Sequence, residues 1–80
     1  MLDSRLIETV SRTLGVDAAS VNADMGPANT PAWDSVAHLT LILEIEAAFD
    51  TRFPGEEIPK LISVGLIQEA LAGGKSRGTR

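Results

Sequence analysis

Cysteine is absent from this 80-residue chain, and His38 is its one histidine. The first absence excludes disulfides, thiolate metal ligation and a thiol nucleophile of the protein's own, and it fits a reducing compartment. The second excludes a histidine-rich metal site, so no metal is expected. Long apolar runs are missing too. Stretches such as Leu41-Ile42-Leu43 fall far short of a membrane span. Asp3 and Glu8 stand near the start without an apolar h-region, so no signal peptide is expected and the expected compartment is the cytoplasm. Strand-like alternation, hairpin signals and internal repeats are also lacking. What remains is the material of a small all-α domain.

A chain of this length forms one domain and buries only about 60% of its unfolded surface, so the core is modest. Substrate-enclosing pockets of roughly 300 Å³ or more are hard to build at that size. The net charge is −4, but it is unevenly spread. Residues 1–72 hold all 11 acids against Arg5, Arg12, Arg52 and Lys60, which leaves the body at −7. Such a balance repels nucleic acid and favours partners with basic patches. Residues 73–80 contain Gly73, Gly74 and Gly78 with Lys75, Arg77 and Arg80, and no apolar side chain. They are expected to be a disordered basic tail behind a domain spanning 1–72.

The first helix is expected over Ser4 to Leu14, capped by Asp3 or Ser4. Leu2, Leu6, Val10 and Leu14 recur every four residues, with Ile7 widening the stripe, and Gly15 follows at a position suited to a left-handed residue. Residues 16–33 show no period and are rich in turn formers, with Val16, Val21, Met25 and Trp33 as their expected anchors. The second helix is expected over Ser35 to Phe49, with Asp34 as its N-cap. At about 100° per residue it carries two apolar arcs. Leu41, Ile42, Ile45 and Phe49 form the core face, and Val36, Leu39 and Leu43 form a second arc on the flank of Ser35 and Glu46. Either both arcs are buried or one is presented to a partner, and a domain this small has little to cover both. Phe53-Pro54-Gly55 breaks the chain. The stretch from Glu56 to Leu61 leaves room for a short element that Pro59 makes little more than a turn. Ser63 caps a last helix over Val64 to about Ala72, with Val64, Ile67 and Leu71 inward and Leu66 beside them, and Gly73-Gly74 ends it. The expected fold is a four-helix bundle of three main helices and a short third one.

Ser35 is the residue with chemical interest, because it falls in the first turn of the second helix. The helix dipole and the unpaired N–H groups there favour an anionic group. Three readings compete. On the first, the serine simply caps or starts the helix. Asp34, Ser35 and His38 could suggest a hydrolase, but Asp34 directly precedes the serine and is poorly placed to orient the imidazole, and no oxyanion hole is evident, so His38 is expected as a polar residue at the rim of the first turn. On the third reading another enzyme installs a group on the hydroxyl, and no catalytic residue of the chain's own is involved.

Residues Trp33-Asp34-Ser35-Val36-Ala37-His38-Leu39, followed by Leu41 to Phe49, resemble the acyl carrier proteins. So do Phe49-Asp50-Thr51-Arg52-Phe53-Pro54, Ile62-Ser63-Val64-Gly65, and Leu14-Gly15-Val16 with Val21. The resemblance leaves only the middle loop and the basic tail unmatched. It implies a four-helix bundle whose serine, Ser35, carries 4′-phosphopantetheine from coenzyme A next to the motif residue Asp34. That arm supplies the thiol a cysteine-free protein lacks. It implies a carrier, not an enzyme, acting with a phosphopantetheinyl transferase, an acyl- or aminoacyl-loading ligase, and ketosynthase, condensation or acyltransferase enzymes. In the family the second helix is the recognition helix, which assigns Val36, Leu39, Leu43, Glu44 and Glu46 to partner binding.

Several positions depart from the family pattern. Val36 stands where leucine is usual and Ala32 where a glycine is often found. Ala37, Thr40, Ala47 and Ala48 occupy positions that are often charged, and Pro59 interrupts the third element. These departures lean toward a dedicated carrier for polyketide, peptide or other specialised acyl chemistry, and away from housekeeping fatty acid synthesis. The chain is expected to be free-standing and monomeric, with no nucleic-acid or membrane partner. The alternative is an unmodified helical interaction module sharing the fold.

Overall fold

Three α-helices and two 3₁₀ segments make up most of the chain in the computed structural model, which describes residues 2–72 and 77–78. The protein is a small all-α bundle.

Helix α1 spans Ser4–Leu14. The Asp3 carboxylate caps it by accepting the Arg5 N–H at 2.8 Å, taking up one of the donors that every helix start leaves unpaired. Gly15 closes it at φ 70°, donating its N–H to the Ser11 carbonyl. Leu6, Val10 and Leu14 are buried, and Leu2 and Ile7 are half-buried at the edges of the stripe.

Helix α2 covers Ser35–Phe49 with Asp34 as its N-cap. Its C-terminus is closed by Asp50 at φ 51°, a left-handed conformation in a residue type that tolerates it better than most. Leu41, Ile42 and Ile45 face the core. Phe49 is only half-buried, and the Arg5 guanidinium lies 4.4 Å from its ring centroid. This cation–π contact covers the outer face of the ring.

The loop between α1 and α2 is more ordered than its composition suggests. Asp17 caps a short 3₁₀ turn over Ala18–Ser20. Asn29 knits the next bend, accepting from the Gly26 N–H and the Thr30 hydroxyl and donating to the Asp24 carbonyl, each at 2.9 Å. Val21, Met25 and Trp33 are buried and Val16 is half-buried, so the four expected anchors do hold the loop down.

Gly55–Lys60 forms the short third element, a 3₁₀ segment that includes Pro59. A proline has no N–H to donate, so a continuous α-helical ladder cannot pass through it. Helix α3 spans Val64–Ala72, and the Ser63 hydroxyl caps it through the Leu66 N–H at 3.0 Å. Val64, Ile67 and Ala70 are buried, while Leu71 is half-buried. The first N–H groups of α3 find acceptors in the loop: Val64 donates to Met25 and Gly65 to Ala23, both at 2.9 Å. Gly26 makes this approach possible, because a Cβ there would lie 2.2 Å from the Ile62 carbonyl oxygen.

One departure from expectation concerns the tail. Strands were not expected, yet Thr51–Arg52 (β1) pairs antiparallel with Arg77–Gly78 (β2), Thr51 opposite Gly78 and Arg52 opposite Arg77. A ladder of two residues uses backbone groups alone and leaves no alternating apolar pattern to find. The rest of the expected disordered tail, and the Gly73-Gly74 helix stop, lie outside the described residues.

Candidate functional site

The start of α2 is built by Asp34. Its backbone is extended (φ −91°, ψ −173°), its carboxylate accepts the Ala37 N–H at 2.8 Å, and its carbonyl accepts the His38 N–H at 2.8 Å. Because Asp34 does the capping, the Ser35 hydroxyl is not needed for it and stands exposed in the first turn. An anion attached there would meet the positive end of a 15-residue helix.

Val36, Leu39 and Leu43 are exposed at 74%, 57% and 65%, so the second apolar arc of α2 faces outward. Ile62 and Leu66, at 56% and 41%, add exposed apolar surface just before and within α3. These two were not assigned to a surface from the sequence. Ile62 precedes the Ser63 cap and Leu66 adjoins the inward residue Ile67, so neither position carries a periodic signal of exposure.

The two glutamates assigned to the charged rim are both engaged within the fold. Glu46 is half-buried, and its carboxylate accepts the Phe53 N–H at 2.8 Å, bracing the turn that follows α2. Within the fold it therefore acts as a structural brace. Glu44 is exposed and lies 3.5 Å from the Arg12 guanidinium of α1. A solvent-exposed pair of this kind contributes about 0–1 kcal/mol and is readily broken by a stronger partner.

His38, expected at the polar rim of the first turn, is instead half-buried and holds Trp33. The Trp33 indole N–H donates to His38 Nδ1 at 2.9 Å, and His38 Nε2 meets the Ile58 carbonyl at 2.9 Å. Both ring nitrogens are therefore engaged by Trp33 and Ile58 and not by Ser35. Trp33 is 1% exposed, as expected of a packing residue, and its polar edge is satisfied by this bond.

Beside Ser35 runs an open groove of about 520 Å³. Pro27 and Trp33 from the loop line it, together with His38 and Leu39 from α2 and with Ile58, Pro59 and Ile62. This groove was invisible in the sequence, since its walls come from three separate segments. Asp34 is the charged residue along it, and its carboxylate is already occupied by the Ala37 N–H. The arrangement offers an exposed hydroxyl at a helix N-terminus, opening onto an apolar channel. An anionic linkage with an apolar extension fits these surroundings. No known protein-family model matches the chain.

Proposed function

We propose that the protein is a carrier whose Ser35 hydroxyl accepts a 4′-phosphopantetheine group from coenzyme A through a separate transferase. The observation that carries this reading is the exposed Ser35 at the start of α2, freed from capping by Asp34 and opening onto the apolar groove. In the transfer the serine oxygen bonds to the pantetheine phosphorus. The pyrophosphate linkage of coenzyme A breaks, adenosine 3′,5′-bisphosphate leaves, and the serine proton passes to the transferase. When attached, the group supplies a thiol that holds acyl or aminoacyl units as thioesters. The chain's own residues do the rest. The N–H groups at the head of α2 hold the phosphodiester charge, Asp34 fixes the helix start, and Trp33, Leu39, Ile58 and Ile62 offer an apolar channel that limits water.

The exposed arc of Val36, Leu39 and Leu43 supports docking by enzymes that load or consume the cargo, with Ile62 and Leu66 extending it. The acidic body favours partners with basic surfaces there. The departures at Val36, Ala32 and Pro59 favour a specialised polyketide, peptide or other acyl pathway.

Incubation with a phosphopantetheinyl transferase, Mg²⁺ and coenzyme A should add one phosphopantetheine to the intact protein, read by mass spectrometry. Ser35→Ala should fold normally and gain nothing. Modification surviving in that variant, or mapping to Ser4, Ser11, Ser20, Ser63 or Ser76, overturns the assignment. A wild-type protein that stays unmodified would instead favour an unmodified interaction module using the same exposed arc.

A further inference from the structure

His38 links the three segments that line the groove. An indole nitrogen can only donate, so His38 Nδ1, 2.9 Å from Trp33 Nε1, must accept. The neutral ring then carries its proton on Nε2 and donates it to the Ile58 carbonyl at 2.9 Å. The two rings lie within 24° of parallel with centroids 6.0 Å apart. The same Ile58 carbonyl accepts the Leu61 N–H at 3.2 Å, the bond that closes the Gly55–Lys60 segment. That segment is short, and Pro59 removes one of its own donors, so an outside anchor matters more there than it would in a full helix. One imidazole thus ties Trp33 at the end of the loop, the first turn of α2 and the end of the 3₁₀ segment.

We propose that His38 is a positioning residue. Its two hydrogen bonds hold Trp33 and Ile58 at a fixed separation, so that the groove beside Ser35 is a preformed apolar seat for an acyl chain. A seat whose walls are already ordered spares a ligand the cost of ordering them. The identity of the occupant rests on the carrier reading; the tie itself does not.

The test uses the full, unmodified chain labelled with ¹⁵N. Trp33 is the one tryptophan, so a single indole N–H resonance reports its bond. His38→Phe fills the space without an acceptor or donor, and His38→Gln restores one of each. In His38→Phe the indole resonance should move upfield. The indole and the Leu61 amide should exchange about 5- to 10-fold faster, the change expected from losing one hydrogen bond of ordinary net strength. The Val10 amide in α1 should keep its wild-type protection, and His38→Gln should recover part of both signals. Unchanged indole and Leu61 signals overturn the proposal. So does faster exchange throughout the bundle without rescue by glutamine, which would make His38 a general stability residue.

Free octanoyl-pantetheine titrated into the same proteins tests the seat. Saturable shifts at the Leu39 and Ile62 amides are expected in wild type, weakened about 5- to 10-fold in His38→Phe and less in His38→Gln. Equal or tighter binding by His38→Phe, or no saturable shift in wild type, overturns the seat. Failure of the carrier reading registers elsewhere, as a wild-type protein that takes no phosphopantetheine, and it leaves the exchange results on the tie standing.

Discussion

A methyl group added at Gly26 would sit 2.2 Å from the Ile62 carbonyl oxygen, well inside any contact a real side chain makes. The loop and the start of α3 would have to separate, straining the Val64–Met25 and Gly65–Ala23 hydrogen bonds. Gly26→Ala should therefore destabilise by about 1–3 kcal/mol, the range for forced overpacking, seen as a Tm roughly 5–20 °C lower. A Tm within a degree or two of wild type would show that the two segments part easily. Asp34→Ala removes a different kind of support, the cap on Ala37, and should cost about 1 kcal/mol without altering the core. The cap was legible in the sequence because its bond spans three positions along the chain. The glycine's role was not, because it depends on a carbonyl 36 positions away, Ile62, that only the folded chain brings near. His38 was misjudged for the same reason: its partner, Ile58, lies 20 positions on, beyond the chain break at Pro54.

Helix α2 shows how one element serves two faces. Ile42 and Leu43 are adjacent, yet the first is 2% exposed and the second 65%. Ile42→Ala should cost about 2–5 kcal/mol, as a truncation in a packed core does. Leu43→Ser should stay within about 0.5 kcal/mol of wild type by thermal melting, as surface changes usually do. In an assay with a loading enzyme the order should reverse, Leu43→Ser slowing turnover although its melting temperature hardly changes. Unfolding of Leu43→Ser would mean that the arc is core. The bounds of α1 and α2 were fully legible, since each has an aspartate cap before it and a regular apolar spacing within it. The choice between burying both arcs and presenting one followed from chain length alone, because too little protein remains to cover the second. The groove was not legible in the same way. Pro27, His38 and Ile62 belong to three segments whose meeting no periodicity encodes.

At the scale of the whole molecule, charge is separated along the chain: −7 on residues 1–72 against Lys75, Arg77 and Arg80 beyond them. The paired backbone of Thr51–Arg52 and Arg77–Gly78 joins the two regions. A ladder this short has few hydrogen bonds, each contributing about 0.5–1.5 kcal/mol net, and it must offset the ordering of the chain that reaches it. Attraction between the basic residues and the acidic body is screened at physiological salt, where the Debye length is about 8 Å. Residues 73–80 bring no apolar side chain, so burial at roughly 25 cal/mol per Å² has almost nothing to act on. A chain ending at Ala72 should therefore melt within a few degrees of the full protein and accept phosphopantetheine at a similar rate. Its stability should also vary less with salt, because the opposite charges that screening weakens are gone. A loss of more than about 2 kcal/mol on truncation would show that the pairing with Thr51–Arg52 closes the bundle. An intact fold that loses only its rate with a loading enzyme would instead make the basic residues part of the surface that enzyme recognises.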